Sequence, residues 1–230
     1  MFTDTIDTIT YRSADQINQA MGRVYGHMAA AVINSMIVSY LVGTSPALLQ
    51  LFFTGWTKWI VILAPLAFIF AVPYLLSSGI SKAGKVLTLH AFAGLMGLSF
   101  ATIFALYTMG SIVSAFMGAG ILFGTMSVYG YFTKRSLDSL GKFMFIGLIA
   151  IIIASIINIF IGSSVMQMVI SAVAIVIFLG LTAYDTQQIR EMLYDSSADD
   201  GAEIMGAITL YLDFINIFLS LLQLTGDKKD

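Results

Sequence analysis

Cysteine is absent from the 230 residues of this chain, which removes disulfides and thiol chemistry and says little about compartment. Charge is nearly as scarce. Asp, Glu, Lys and Arg together make up 10% of the residues, against about 25% in an ordinary globular chain. The net charge of −2 is too close to zero for a surface that binds nucleic acid or polyanions in general. What remains is apolar: 58% of the residues are hydrophobic and the mean hydropathy is +0.91. A soluble domain of this length could not cover so much apolar surface. The few charges gather between the apolar runs rather than along them, and so mark the loops of a protein that crosses a bilayer several times.

Seven stretches reach the about 20 residues needed to cross a ~30 Å hydrocarbon layer. They are 25–43, 58–77, 86–108, 112–132, 143–162, 165–185 and 204–224. The reading is an all-α integral membrane protein, a seven-helix transmembrane bundle over 25–224, with an N-terminal segment 1–24 and a short polar tail 225–230. Pro65 and Pro73 fall in the second stretch and are expected to kink it, which a helical bundle tolerates. Trp56 and Trp59 stand where an interfacial aromatic belt would hold that helix, and Tyr129 and Tyr131 do the same near the end of the fourth. Gly120 and Gly124 form a small-xxx-small pair that allows close helix contact, most simply a generic packing surface.

The leader before the first stretch carries Asp4, Asp7 and Asp15, and no small-x-small cleavage site follows it, so this stretch reads as an uncleaved anchor. Basic residues then set the orientation. Arg12 and Arg23 precede the first span, Lys82 and Lys85 follow the second, Lys134, Arg135 and Lys142 follow the fourth, and Arg190 follows the sixth. The opposite loops hold only Lys58. The positive-inside rule therefore puts the N-terminus in the cytoplasm. Lys228 and Lys229 fall outside if the last segment crosses fully and inside if it is re-entrant; the pattern fits both.

Asp213 lies near the middle of the last apolar stretch, where a carboxylate costs roughly 2.5–3.5 kcal/mol on insertion scales, so such a residue faces a polar interior, a partner or an ion path. Thr209, Asp213, Asn216, Ser220 and Gln223 recur at helical spacing and line one face. Leu210, Phe214, Ile217, Leu221 and Leu224 line the other. A polar stripe around Asp213 suggests a central helix, with Thr209, Asn216 and Ser220 as candidates for lining a pathway. The plainer reading is that the neutral residues only pack this helix through interhelical hydrogen bonds. Asp185 ends the preceding stretch. Ile189, Met192 and Leu193 continue the apolar rhythm beyond it, so that helix is expected to run on and bury Asp185 in the bundle. The two helices then run antiparallel with their acids within about one helical turn, ~5 Å, of each other in depth. No Lys or Arg lies in the apolar interior of any of the seven stretches.

Two carboxylates in one dry site cannot both ionise cheaply, so they share a proton or take up a cation. A pair that gains charge as pH rises can drive two helices apart, a physical route to a pH-gated passage. Two carboxylates are too few for a calcium cage of about six to eight oxygens, although Asn216, hydroxyls, carbonyls and water could complete a weak, transient calcium site at Asp185 and Asp213. His90, in the third span, is a further titratable group near neutrality, or else a histidine hydrogen-bonded within the bundle. His27 reads as interfacial.

The stretch Gly180-Leu181-Thr182-Ala183-Tyr184-Asp185-Thr186-Gln187, followed by Gly206-Ala207-Ile208-Thr209-Leu210-Tyr211-Leu212-Asp213-Phe214-Ile215-Asn216, closely resembles the bacterial branch of the Bax inhibitor-1 family, also called the transmembrane Bax inhibitor motif family. Met96-Gly97-Leu98-Ser99-Phe100-Ala101-Thr102-Ile103-Phe104 and Tyr129-Gly130-Tyr131-Phe132-Thr133-Lys134-Arg135 look like further signatures of that branch. The resemblance covers roughly residues 20 to 226. It implies a seven-helix bundle with the last helix at the centre of the other six, in a bacterial inner (plasma) membrane. It also implies a pH-sensitive calcium leak, without enzymatic activity or cofactor, whose di-aspartyl sensor matches Asp185 and Asp213. The second span has no interior Arg to latch onto the acids, so the family's closed-state latch and operating pH do not carry over.

Two other classes compete. An intramembrane aspartyl protease also puts Tyr-Asp on one helix and a second Asp on the next, as acid and base around a water. Its second acid, however, belongs to a Gly-x-Gly-Asp turn, whereas Asp213 follows Leu210-Tyr211-Leu212, and the only Pro-Ala-Leu here is Pro46-Ala47-Leu48. The stronger rival is a non-transporting regulator that binds other membrane proteins, such as a membrane protease or a secretion pore. It would need an external helix face, the N-terminal segment or the tail. Deleting residues 2–20 separates the two: loss of a stress phenotype with flux intact favours binding.

Overall fold

The computed structural model describes residues 12–194 and 200–229. Nine helices form among them: α1 Ala14–Gly43, α2 Pro46–Phe53, α3 Thr57–Ser77, α4 Lys82–Ser99, α5 Thr102–Leu106, α6 Met109–Phe132, α7 Asp138–Ile161, α8 Ser164–Met192 and α9 Asp200–Thr225. With α4 and α5 taken together, seven segments are long and apolar enough to cross a membrane. Side-chain oxygens of Ser13, Ser45, Ser81, Thr108 and Ser163 cap α1, α2, α4, α6 and α8. They satisfy N–H groups that a helix end leaves without partners.

The element ends differ from the sequence reading where polar residues still favour helix. α1 starts at Ala14 rather than 25 because Ser13 and Gln16 close a capping box ahead of the apolar run. Asp15 is therefore helical, while Asp4 and Asp7 lie outside the described residues. The third stretch is not continuous: the helix is interrupted at Phe100 and Ala101. There a Cβ on Gly43 would collide with the Ala101 backbone. Pro65 and Pro73 both lie inside α3. Pro65 cannot donate to the carbonyl of Val61, and the Ser99 hydroxyl of α4 fills that role at 2.5 Å, as neighbouring helices do for prolines in membranes. Trp56 and Trp59 are exposed at the start of α3.

The helix α9 is the centre of the bundle. It packs against α1, α3, α4, α6 and α8, and 67% of its most apolar window is buried, against 6% for α7, which packs on α8 and otherwise faces outward. Tyr211, Leu210, Ile217 and Leu222 of α9 are almost fully enclosed. Phe92 meets Tyr211 edge-on at 5.9 Å, while Phe116 and Phe123 meet Phe214 edge-on at 5.2 and 5.9 Å. Lipid tails are as apolar as these side chains, so such shape-matched contacts, rather than burial from water, hold the helices together. Backbones also approach closely at Gly97 and Gly130, where a Cβ would run into the backbone of Ser35 and Ala183 respectively. The pair Gly120 and Gly124 does not serve as a helix contact within the chain: a Cβ on either would meet nothing within 4 Å.

Both ends of α9 are tied down, at opposite ends of the bundle. At the end that holds the start of α1, Arg23 grips Glu203, and the Arg12 N–H donates to the carbonyl of Tyr194 at 3.1 Å. At the other, the tail pairs with the α5–α6 connection. The N–H groups of Thr108 and Lys229 donate to the carbonyls of Asp227 and Leu106 at 3.0 and 2.9 Å, and Lys229 Nζ reaches the carbonyl of Phe104 at 2.7 Å. The last segment therefore runs from one end of the bundle to the other.

Candidate functional site

The helices α8 and α9 run antiparallel, with Gly206 seated against Ile189. Counting back along one helix and forward along the other sets Thr182 opposite Asp213 and places Asp185 three residues away, about 4.5 Å along the axis. That offset lets the two carboxylates meet. The side chains of Asp185 and Asp213 interact with each other, and Thr182 also reaches Asp213. α8 runs on to Met192, so Asp185 lies well inside the helix rather than at its end. Asp213 is only 4% exposed and Asp185 is half-buried. Asp213 Oδ2 has no hydrogen-bond partner among the described residues. The Thr182 hydroxyl donates to the carbonyl of Phe178 at 2.7 Å; its single hydrogen can serve that carbonyl or Asp213, not both.

No ion pair joins either acid to a cation among the described residues, nor do three or more His, Cys, Asp or Glu gather there in a metal-binding cluster. Chemically the pair can hold a shared proton or a single, incompletely coordinated cation. Ionising both acids while α8 and α9 stay packed here would hold two negative charges in one another's field with little water to screen them.

The neutral members of the α9 stripe divide into two groups. Thr209 and Asn216 donate to the carbonyls of Met205 and Leu212, at 3.1 and 2.8 Å, four residues back in their own helix. Ser220 is buried. Gln223 instead reaches across to α8, its Oε1 accepting from Gln167 at 2.7 Å and from Ser171 at 3.0 Å. The opposite face is no less enclosed, so the helix is polar on one side yet buried on both. His90 is half-buried, and the Asn34 amide of α1 donates to its carbonyl at 2.8 Å.

Three polar contacts between helices escaped the sequence reading. The first is the Arg23–Glu203 pair between α1 and α9, bidentate at 2.8 and 2.6 Å with Glu203 itself 3% exposed. Arg23 reads in the sequence as a topology charge, and Glu203 stands one residue outside the last apolar run. The second is a hydroxyl chain, Tyr25 to Ser127 at 2.6 Å and Ser127 to Thr186 at 3.0 Å, which links α1, α6 and α8 at the residue after Asp185. The third is Gln187, whose side chain accepts from the Leu137 N–H and donates to the Arg135 carbonyl, pinning the α6–α7 connection.

A seven-span membrane bundle built around a central helix with a buried, carboxylate-paired aspartate defines the class of protein. The chain belongs to the Bax inhibitor-1 family: residues 17–230 match the family described as Inhibitor of apoptosis-promoting Bax1. It is 35% identical to the Inner membrane protein YbhL of Escherichia coli K12, over 91% of this chain and 92% of that protein. It is likewise 35% identical to the Uncharacterized protein RP147 of Rickettsia prowazekii, over 100% and 99% of the two chains. With the Uncharacterized protein YrjE of Lactococcus lactis it shares 35% identity over 93% and 92%.

Proposed function

We propose that this protein is a pH-sensitive calcium, or more broadly cation, leak in an inner membrane, gated by Asp185 and Asp213 and without enzymatic activity. The observation that supports it is the buried acid of the central helix in contact with a second acid on the neighbouring helix, with no cation paired to either among the described residues. As pH rises the pair takes up its second negative charge, and like charges in a poorly screened interior repel. Repulsion moves α8 away from α9 and opens a path along the stripe of Thr209, Asn216 and Ser220. A calcium ion entering the gap replaces the lost proton transiently. The basic residues at the starts of α1 and α4, between α6 and α7 and near the end of α8 orient this end of the bundle to the cytoplasm.

The test is calcium entry into liposomes that hold the purified protein, scanned from about pH 5 to 8, the range in which a coupled carboxylate pair changes charge. A leak above that of empty liposomes that grows with pH is expected. The absence of any leak from folded protein would instead favour a regulator that acts by binding other membrane proteins.

A further inference from the structure

Where the first turns of α1 meet the ends of α6 and α8, a cavity of about 910 Å³ is lined by Asn18, Tyr131, Lys134, Gln187, Arg190 and Glu191 among others. Two cations face one carboxylate there. Arg190 is held in place: its Nη1 donates to the carbonyl of Tyr131 at 3.1 Å and its guanidinium lies 5.0 Å over the Tyr131 ring. A second cavity, of about 440 Å³, shares Asn18, Tyr131 and Phe132 with the first and continues along the outside of the bundle between α1 and α6, where Met21, Phe123 and Val128 line it. The two helices are bridged there by side chains, Tyr25 to Ser127 and Tyr131 to Asn18. Their backbones leave space, since a Cβ on Gly22 or Gly124 would meet nothing within 4 Å. Phe132, 72% exposed, stands at the junction of the two cavities.

We infer that these contiguous cavities form a binding site for one anionic phospholipid, with its phosphate headgroup beside Lys134 and Arg190 and an acyl chain in the groove between α1 and α6. The polar cavity alone would serve a free phosphate; its apolar continuation, open along the membrane-facing side of α1 and α6, is what calls for a lipid. The charge of the wall selects an anionic headgroup over a zwitterionic one. Arg190, prestacked on Tyr131, loses little freedom when it binds a phosphate oxygen. The site does not depend on whether the protein conducts calcium.

The test is native mass spectrometry of the full chain with phosphatidylglycerol or phosphatidylcholine, for wild type, Lys134→Gln and Gly124→Leu, each with its thermal stability checked. Wild type is expected to retain phosphatidylglycerol in preference to phosphatidylcholine. Lys134→Gln should weaken phosphatidylglycerol about fivefold, the usual worth of one basic residue beside an anionic headgroup, and leave phosphatidylcholine unchanged. Gly124→Leu, which grows into open space, should weaken both by filling the groove. Unchanged phosphatidylglycerol retention in two folded variants would overturn the assignment. So would inorganic phosphate displacing the lipid from wild type while Gly124→Leu has no effect, because the groove would then hold no chain.

Discussion

Replacing Phe214 with asparagine is expected to unfold the centre of the bundle rather than alter its gating. Phe214 is 5% exposed and its ring meets Phe116 and Phe123 edge-on at 5.2 and 5.9 Å. Removing a buried phenylalanine side chain costs about 3–5 kcal/mol, mostly as a cavity that neighbours only partly fill. Each aromatic pair contributes about 0.5–1.5 kcal/mol beyond simple burial. The asparagine amide, left without partners, adds about 1–3 kcal/mol. These effects overlap, so a net loss of about 4 kcal/mol is a fair expectation, a large part of the about 5–15 kcal/mol by which folded domains are usually stable. Phe214→Leu, which keeps most of the volume but loses both ring contacts, should cost about 1–3 kcal/mol. The assay is the fraction of detergent-solubilised protein that stays monodisperse after heating in steps. Phe214→Asn with wild-type heat resistance but altered flux would refute the reasoning, because Phe214 would then face a path and not the core.

Arg23→Gln leaves the enclosed Glu203 carboxylate without its partner; breaking such a pair costs up to about 3–5 kcal/mol, and less here because Arg23 is half-exposed. Heat resistance should fall, and Arg23→Gln with Glu203→Gln should recover part of it; a double variant as labile as the single one would show that the pair carries no such load. Gly130→Ala should destabilise by about 1–3 kcal/mol because its methyl group meets the Ala183 backbone. Gly124→Ala should be close to neutral in the same melt, and equal losses at the two sites would contradict the packing described.

Span number and order were legible in the sequence because hydropathy alone decides them. Helix ends were not. Ser13 and Gln16 extend α1 with polar residues that no apolar count includes, and the break at Phe100 and Ala101 lies in a stretch as apolar as its flanks. Glycine spacing misled in a similar way. Gly120 and Gly124 have the spacing of a helix contact but face open space, while Gly130, outside that pair, makes the close approach to α8. The acids at Asp185 and Asp213 stood out because ionisable residues are rare inside apolar runs. Their meeting followed from antiparallel helices and one turn of offset. Arg23 and Glu203 lie 180 residues apart, and the sequence offers no local pattern that joins them.

The central claim is that Asp185 and Asp213 act as one titrating unit, and it is tested most directly by the pH profile of calcium leak from liposomes for wild type, Asp185→Asn and Asp213→Asn. The wild-type leak should rise with pH, with no pH dependence in folded Asp213→Asn and a shifted or weakened dependence in Asp185→Asn. Profiles of both variants that superimpose on wild type would contradict the claim.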